Sequence, residues 1–145
     1  MAEYVMLTEP LDDASLWIDV ILLLILILAS VFKHRRGPGA WKFLFWSGIA
    51  LLVTFVAAHI NRWCHWWKAH EDFPSGHVTF FLCAATSIIL LYRWSWILLL
   101  PSAVAYSWLI VDVLHKHLWL DAAGAWIMAP PLTWLCHNWQ RIKKT

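Results

Sequence analysis

"LWIDVILLLILILASVF", Leu16 to Phe32, decides the fold. Apart from Asp19 and Ser30 the run is apolar, and it approaches the ~20 residues that a helix needs to cross a bilayer. "KHRRGPG" then ends it with charge and helix breakers. Further along, the same reading predicts four more spanning helices. They cover about Trp41 to Ile60, Pro74 or His77 to Tyr92, Trp96 to Leu114, and Leu118 to Trp139. Pro130 and Pro131 are expected to kink the last, because neither donates a backbone hydrogen bond.

Composition agrees with this reading. Of 145 residues, 61% are hydrophobic and 14% charged, against about 25% charged in a soluble domain. Mean hydropathy is +0.62. The 13 tryptophans suit a chain whose indoles settle at the membrane boundary. The expected fold is therefore all-α: a polytopic membrane bundle of about five transmembrane helices, forming one domain over residues 1–145. A net charge of +2, with no basic run, gives no reason to expect nucleic acid. Cys83 and Cys136 read as core fillers and Cys64 as a loop thiol with no obvious partner. The acidic start (Glu3, Glu9, Asp12, Asp13) does not read as a signal peptide.

Lysine and arginine predict the orientation. Lys33, Arg35, Arg36 and Lys42 follow the first helix, Arg93 the third, and Arg141, Lys143 and Lys144 the fifth. With five spans these share one face, which the positive-inside rule makes cytoplasmic. The N-terminus is then outside and the C-terminus cytoplasmic. Arg62, Lys68 and Lys116 fall outside, against the rule, and ask for another job. The loop Asn61 to His77 meets the junction His115 to His117 on that outer face. His59, His65, His70, His77, His115 and His117 all lie at or near it.

Two short stretches carry chemistry. In "FPSGH" (Phe73–His77), proline suits a first helical turn, serine can cap, and glycine admits close approach of a ligand. A helix N-terminus attracts anions, and His77 there is placed to donate a proton. The same residues read equally as a plain capped helix start. In "HLWLD", His117 and Asp121 are spaced to share a helix face. A carboxylate on one imidazole nitrogen fixes the tautomer and leaves the other to attack. A structural His–Asp pair reads the same way. Lys68, Arg62 and Lys116 can supply positive charge to a phosphate.

"PSGH" (Pro74 to His77), followed by His117-x-x-x-Asp121 and "AAGA", resembles the type 2 phosphatidic acid phosphatase family over roughly residues 62–125. The resemblance implies a helical membrane enzyme that removes phosphate from lipids without metal or cofactor. It implies His117 as the nucleophile that becomes phosphohistidine, Asp121 as its partner, and His77 as the acid for the leaving group. It implies Ser75, Gly76 and Lys68 as phosphate-binding residues. Two departures stand out. Lys68 has no Arg-Pro pair after it, and Ile110 and Val111 stand where the family has Ser-Arg. Arg62 and Lys116 are the candidate substitutes.

The function expected is hydrolysis of a lipid phosphate or isoprenoid pyrophosphate at the outer, periplasmic face of a bacterial inner membrane. Membrane lipids are the expected surroundings, and the sequence leaves oligomeric state open. Two other readings remain. One is a divergent relative that binds lipid phosphate without turnover, motivated by the missing arginines. The other is a histidine-rich metal or haem protein using Glu71 and Asp72. Asp112 reads as functional or as a structural partner of Arg62, Lys116 or His115. His70, Glu71 and Asp72 are placed to tune Lys68 or gate entry. Asp19 reads as interfacial, without a role.

Overall fold

The computed structural model describes residues 2–34, 38–64 and 73–142, with side chains for 14–34, 39–60, 63–64 and 73–139. All of it is helix or short connection. Five main helices follow in order: α1 (Ala2–Lys33), α2 (Pro38–Cys64), α3 (Gly76–Leu91), α4 (Trp96–Trp108) and α5 (Trp119–Ile142). A 3₁₀ turn, Arg93–Ser95, leads into α4, and a π-helical turn, Leu109–Val113, ends it. α1 starts well before Leu16 because alanine, glutamate, methionine and leucine, all good helix formers, recur through the acidic start.

Three stretches are long and apolar enough to cross a membrane: Ala14–Lys33, Gly39–Ile60 and Arg93–Val113. The other two differ from the plain spans expected. With 16 residues, α3 rises about 24 Å, less than the ~30 Å hydrocarbon core. α5 has 24 residues but carries Asp121, two prolines, His137 and Asn138. α5 continues through Pro130 and Pro131 without a break.

α3 is the centre of the bundle and packs on α1, α2, α4 and α5. Consecutive residues Phe81, Leu82, Cys83, Ala84 and Ala85 are all buried, so neighbours cover every face of the helix. On α5, Ala122, Ala125 and Ala129 are buried at helical spacing. Such small residues let two helix backbones approach closely. Large apolar side chains point outward instead, among them Phe32, Phe45, Leu98 and Ile127. That inversion of the soluble pattern suits helices whose surroundings are lipid tails.

The interior holds hydroxyls that satisfy themselves locally. Thr54, Ser107 and Thr133 each donate to the carbonyl one turn back, at 2.8 Å. Further along α5, His137 Nε2 lies 3.3 Å from both Ser47 Oγ and Ser87 Oγ. Its ring stacks on Phe43, with centroids 4.6 Å apart. This cluster ties α2, α3 and α5 together away from the α3 N-terminus. All three cysteines are free: Cys83 is buried, as expected of a core filler, Cys136 is only partly buried, and Cys64 is exposed in the last turn of α2 and not in a loop.

Candidate active site

The start of α3 is built by its own sequence. Ser75 is the N-cap, and its hydroxyl accepts the Val78 N–H at 3.5 Å. Gly76 and His77 are then the first helical residues. The cap is also fastened to α5. The Ser75 N–H donates to the Asp121 carbonyl at 3.1 Å. One turn further along α5, Gly124 lies against Phe73 and Pro74. A methyl group there would collide with the Phe73 ring and lie 3.1 Å from Pro74 Cβ.

The segment carrying His117 is shaped by the π turn. Leu114 N–H reaches back to the Leu109 carbonyl at 2.9 Å, and Lys116 N–H to that of Ile110 at 3.2 Å. His115 takes a left-handed φ of 50°. π turns and left-handed non-glycine residues are both uncommon and concentrate at functional sites. Together they turn the chain so that Lys116 and His117 face the α3 N-terminus while α5 departs from Trp119. Asp112 lies in the π turn. Its Oδ1 accepts the Trp119 indole N–H at 3.2 Å, spanning the turn.

His117 and Asp121 do not share a helix face, because α5 begins two residues after His117. They meet through the helix cap. Asp121 Oδ2 accepts the Leu118 N–H at 2.9 Å, the acidic half of a capping box. The same oxygen lies 3.7 Å from His117 Nδ1. That is ion-pair range and longer than a formed hydrogen bond. Asp121 is buried behind the histidine.

His77 has a similar partner from elsewhere in the chain. Its Nδ1 lies 3.2 Å from Oδ2 of Asp19, on α1. Asp19 is itself buried, and the Tyr106 phenol is beside it. Its other oxygen, Oδ1, has no hydrogen-bond partner among the described residues.

His77 and His117 line one cavity of about 540 Å³. Its polar end also holds Asp19, His59, Gly76 and Lys116. Its apolar walls come from α1 (Leu16, Val20, Leu23), α2 (Phe55, Ala58) and Phe80 of α3. His59 Nδ1 is 2.8 Å from the Phe55 carbonyl. A carbonyl only accepts, so Nδ1 carries the proton and Nε2 is the nitrogen left for a ligand. A methyl on Gly76 would stand 3.5 Å from the His59 ring, an ordinary contact.

The residues expected to bind or react are therefore distributed unevenly. His77, His117, Gly76 and Lys116 are on the cavity wall, and Asp121 stands behind His117. Ser75 is fully buried, off that wall, with its hydroxyl engaged in the cap. Arg62 lies in the last turn of α2, and its side chain is outside the described residues. Lys68, His70, Glu71 and Asp72 are also outside them. Ile110 and Val111, at the family's Ser-Arg positions, are buried in the apolar core. Among the described residues Lys116 is the one lysine or arginine on the wall, and no group of three or more His, Cys, Asp or Glu is placed to hold a metal ion.

Sequence reasoning missed Asp19 and His59. Asp19 had a signal, since a carboxylate inside an apolar helix is a functional candidate by default. His59 stood among the outer-face histidines with nothing to single it out. No protein-family model matches the chain, and no curated protein or solved structure matches it significantly.

Proposed function

We propose that this protein is a membrane phosphatase that hydrolyses a lipid phosphate or pyrophosphate through a phosphohistidine at His117. One observation carries the reading. Two histidines some forty residues apart in sequence line a single cavity, each with its Nδ1 towards an aspartate. That arrangement leaves two Nε2 atoms for chemistry in one space, one to attack and one to move a proton.

The reaction runs in two displacements. His117 Nε2 attacks phosphorus, and the bond from phosphorus to the lipid oxygen breaks. The departing oxygen takes the proton of His77 Nε2, so the lipid leaves as a neutral alcohol from a monophosphate and as the lipid monophosphate from a pyrophosphate. Water then attacks the phosphorylated His117 and gives a proton back to His77. The N–P bond breaks and inorganic phosphate leaves. Asp121 stabilises the imidazolium that His117 becomes on attack. Lys116 and the positive end of α3 offset the phosphate charge. The apolar walls on α1, α2 and α3 suit the first methylenes of a lipid chain.

In the membrane, the proposed arrangement is five crossings with the N-terminus outside, the C-terminus cytoplasmic and the cavity facing the periplasm. What supports it is the collection of Lys33, Lys42 and Arg93 at the helix ends away from the cavity. A bacterial inner membrane is the proposed location.

A second reading has its own observation. The described wall offers a phosphate one lysine and also carries Asp19, a charge of the wrong sign. A relative that binds lipid phosphate and does not turn it over fits that balance. Phosphate release from phosphatidate, phosphatidylglycerophosphate and an isoprenoid pyrophosphate by purified protein, beside His117→Ala, decides. Release by wild type alone supports the phosphatase. Equal, slow release by both leaves the binder.

A further inference from the structure

A buried carboxylate on the wall of an anion cavity needs a reason. Asp19 is on α1, outside the stretch that resembles a phosphatase. It faces His77 across 3.2 Å, and its other oxygen has no hydrogen-bond partner among the described residues. Burying a carboxylate with half of its acceptor capacity unused is expensive. As a bare anion it would also repel phosphate. Both difficulties lessen if Asp19 faces an imidazolium, because the pair is then neutral overall. Charged and titratable groups around His77 come from four elements. They are Asp19 of α1, His59 of α2, Lys116 and His117 of the loop before α5, and Tyr106 of α4 beside Asp19. Among these, Asp19 supplies the negative charge.

We infer that Asp19 is a positioning residue for the leaving-group acid: its carboxylate holds Nδ1–H of His77 so that Nε2–H points to the departing lipid oxygen. The inference rests on the phosphatase reading. The geometry favours it over a plain anchor between α1 and α3, because the partner of Asp19 is a cavity-wall histidine. Tyr106 of α4 already ties this part of α1 into the bundle, since its hydroxyl donates to the Ser15 carbonyl at 3.2 Å. The roles on the two dyads then differ. Asp121 supports a ring that gains charge when it attacks phosphorus. Asp19 supports a ring that gives its proton away.

The leaving group exposes this role. Nitrophenolate departs as a stable anion and needs no acid, whereas an alkoxide needs one. With purified full-length protein, Asp19→Asn should lose on the order of 10²-fold in kcat on an alkyl phosphate and only a few-fold on p-nitrophenyl phosphate. His77→Ala should show the same selectivity, and adding Asp19→Asn to it should cost little more. Equal losses on both substrates, or none on either, overturn the positioning role while leaving the phosphatase standing. If wild type and His117→Ala are equally inactive on both substrates, the phosphatase reading itself falls and takes this role with it. A variant that does not fold is bypassed by ¹⁵N resonances of His77 in the wild type. The neutral ring should carry its proton on Nδ1, and a proton on Nε2 with Nδ1 bare overturns the proposal.

Discussion

The backbone N–H of Ser75 donates to the carbonyl of Asp121 at 3.1 Å, although 46 residues separate them. This bond joins the first turn of α3 to the first turn of α5. Each turn carries one cavity histidine close by, His77 two residues after Ser75 and His117 four before Asp121. The two chain segments that carry the rings are therefore joined through backbone. Gly124 completes the joint by admitting Phe73 and Pro74 against α5.

Gly124→Ala tests that joint. Its methyl would meet the Phe73 ring, and overpacking of this kind costs about 1–3 kcal/mol. The variant should unfold at lower denaturant in mixed micelles and lose the proposed phosphatase activity as the histidines move apart. Gly76→Ala should behave differently. Its methyl meets His59 at ordinary distance, so stability should stay within about 0.5 kcal/mol of wild type while cavity binding weakens.

Asp121 serves His117 and the α5 cap through the same oxygen, and two substitutions separate these jobs. Asn keeps an acceptor for the Leu118 N–H but not the charge. Asp121→Asn should stay near wild-type stability and lose on the order of 10²–10⁴ in kcat. Asp121→Ala should add about 1 kcal/mol of destabilisation from the lost cap. Unfolding curves beside single-turnover rates check both.

Lys116 is the described lysine on the cavity wall, held there by the π turn and the left-handed His115. A hydrogen bond to a charged group contributes about 1.5–3 kcal/mol. Lys116→Ala should therefore lower kcat/KM by about 10- to 100-fold on every phosphate substrate, whatever the leaving group. Competition by inorganic phosphate should weaken with it. Unchanged phosphate inhibition would show that the charge acts elsewhere.

His137 should matter for folding alone. It lies about four turns further along α5 than Asp121, or about 24 Å. His137→Ala removes its contacts with Ser47 and Ser87 and the stack on Phe43. A loss of about 1–3 kcal/mol is expected. The folded fraction should keep wild-type kcat and KM, measured on protein recovered as a monodisperse peak.

Much of this protein is local and therefore legible in the residues. Apolar runs of helical length, with glycine, proline and charge between them, predict the helices over Trp41 to Ile60 and Trp96 to Leu114 within a few residues of α2, α4 and the π turn. The cap at Ser75 follows from a small hydroxyl residue before a helix-ready stretch. Composition marks the chain as one built for lipid, because a soluble core could not hide so much apolar surface. His77 and His117 were singled out by short motifs that keep their spacing along the chain.

Only the packed structure decides the rest. Apolarity alone does not say which helix is central. α3 has that place because small side chains line its contact with α5, where the Thr133 hydroxyl reaches Cys83 at 3.2 Å, and close approach is a property of pairs. Neither could spacing reveal that His117 precedes α5, because the π turn and the left-handed His115 shift where the helix starts. Asp19 is the clearest case. Along the chain it is a lone carboxylate in the apolar run Leu16 to Phe32, 58 residues from His77. It acquires a partner when α1 is laid against α3, since a charge is stabilised by what lies within a few ångströms and sequence distance sets no such limit.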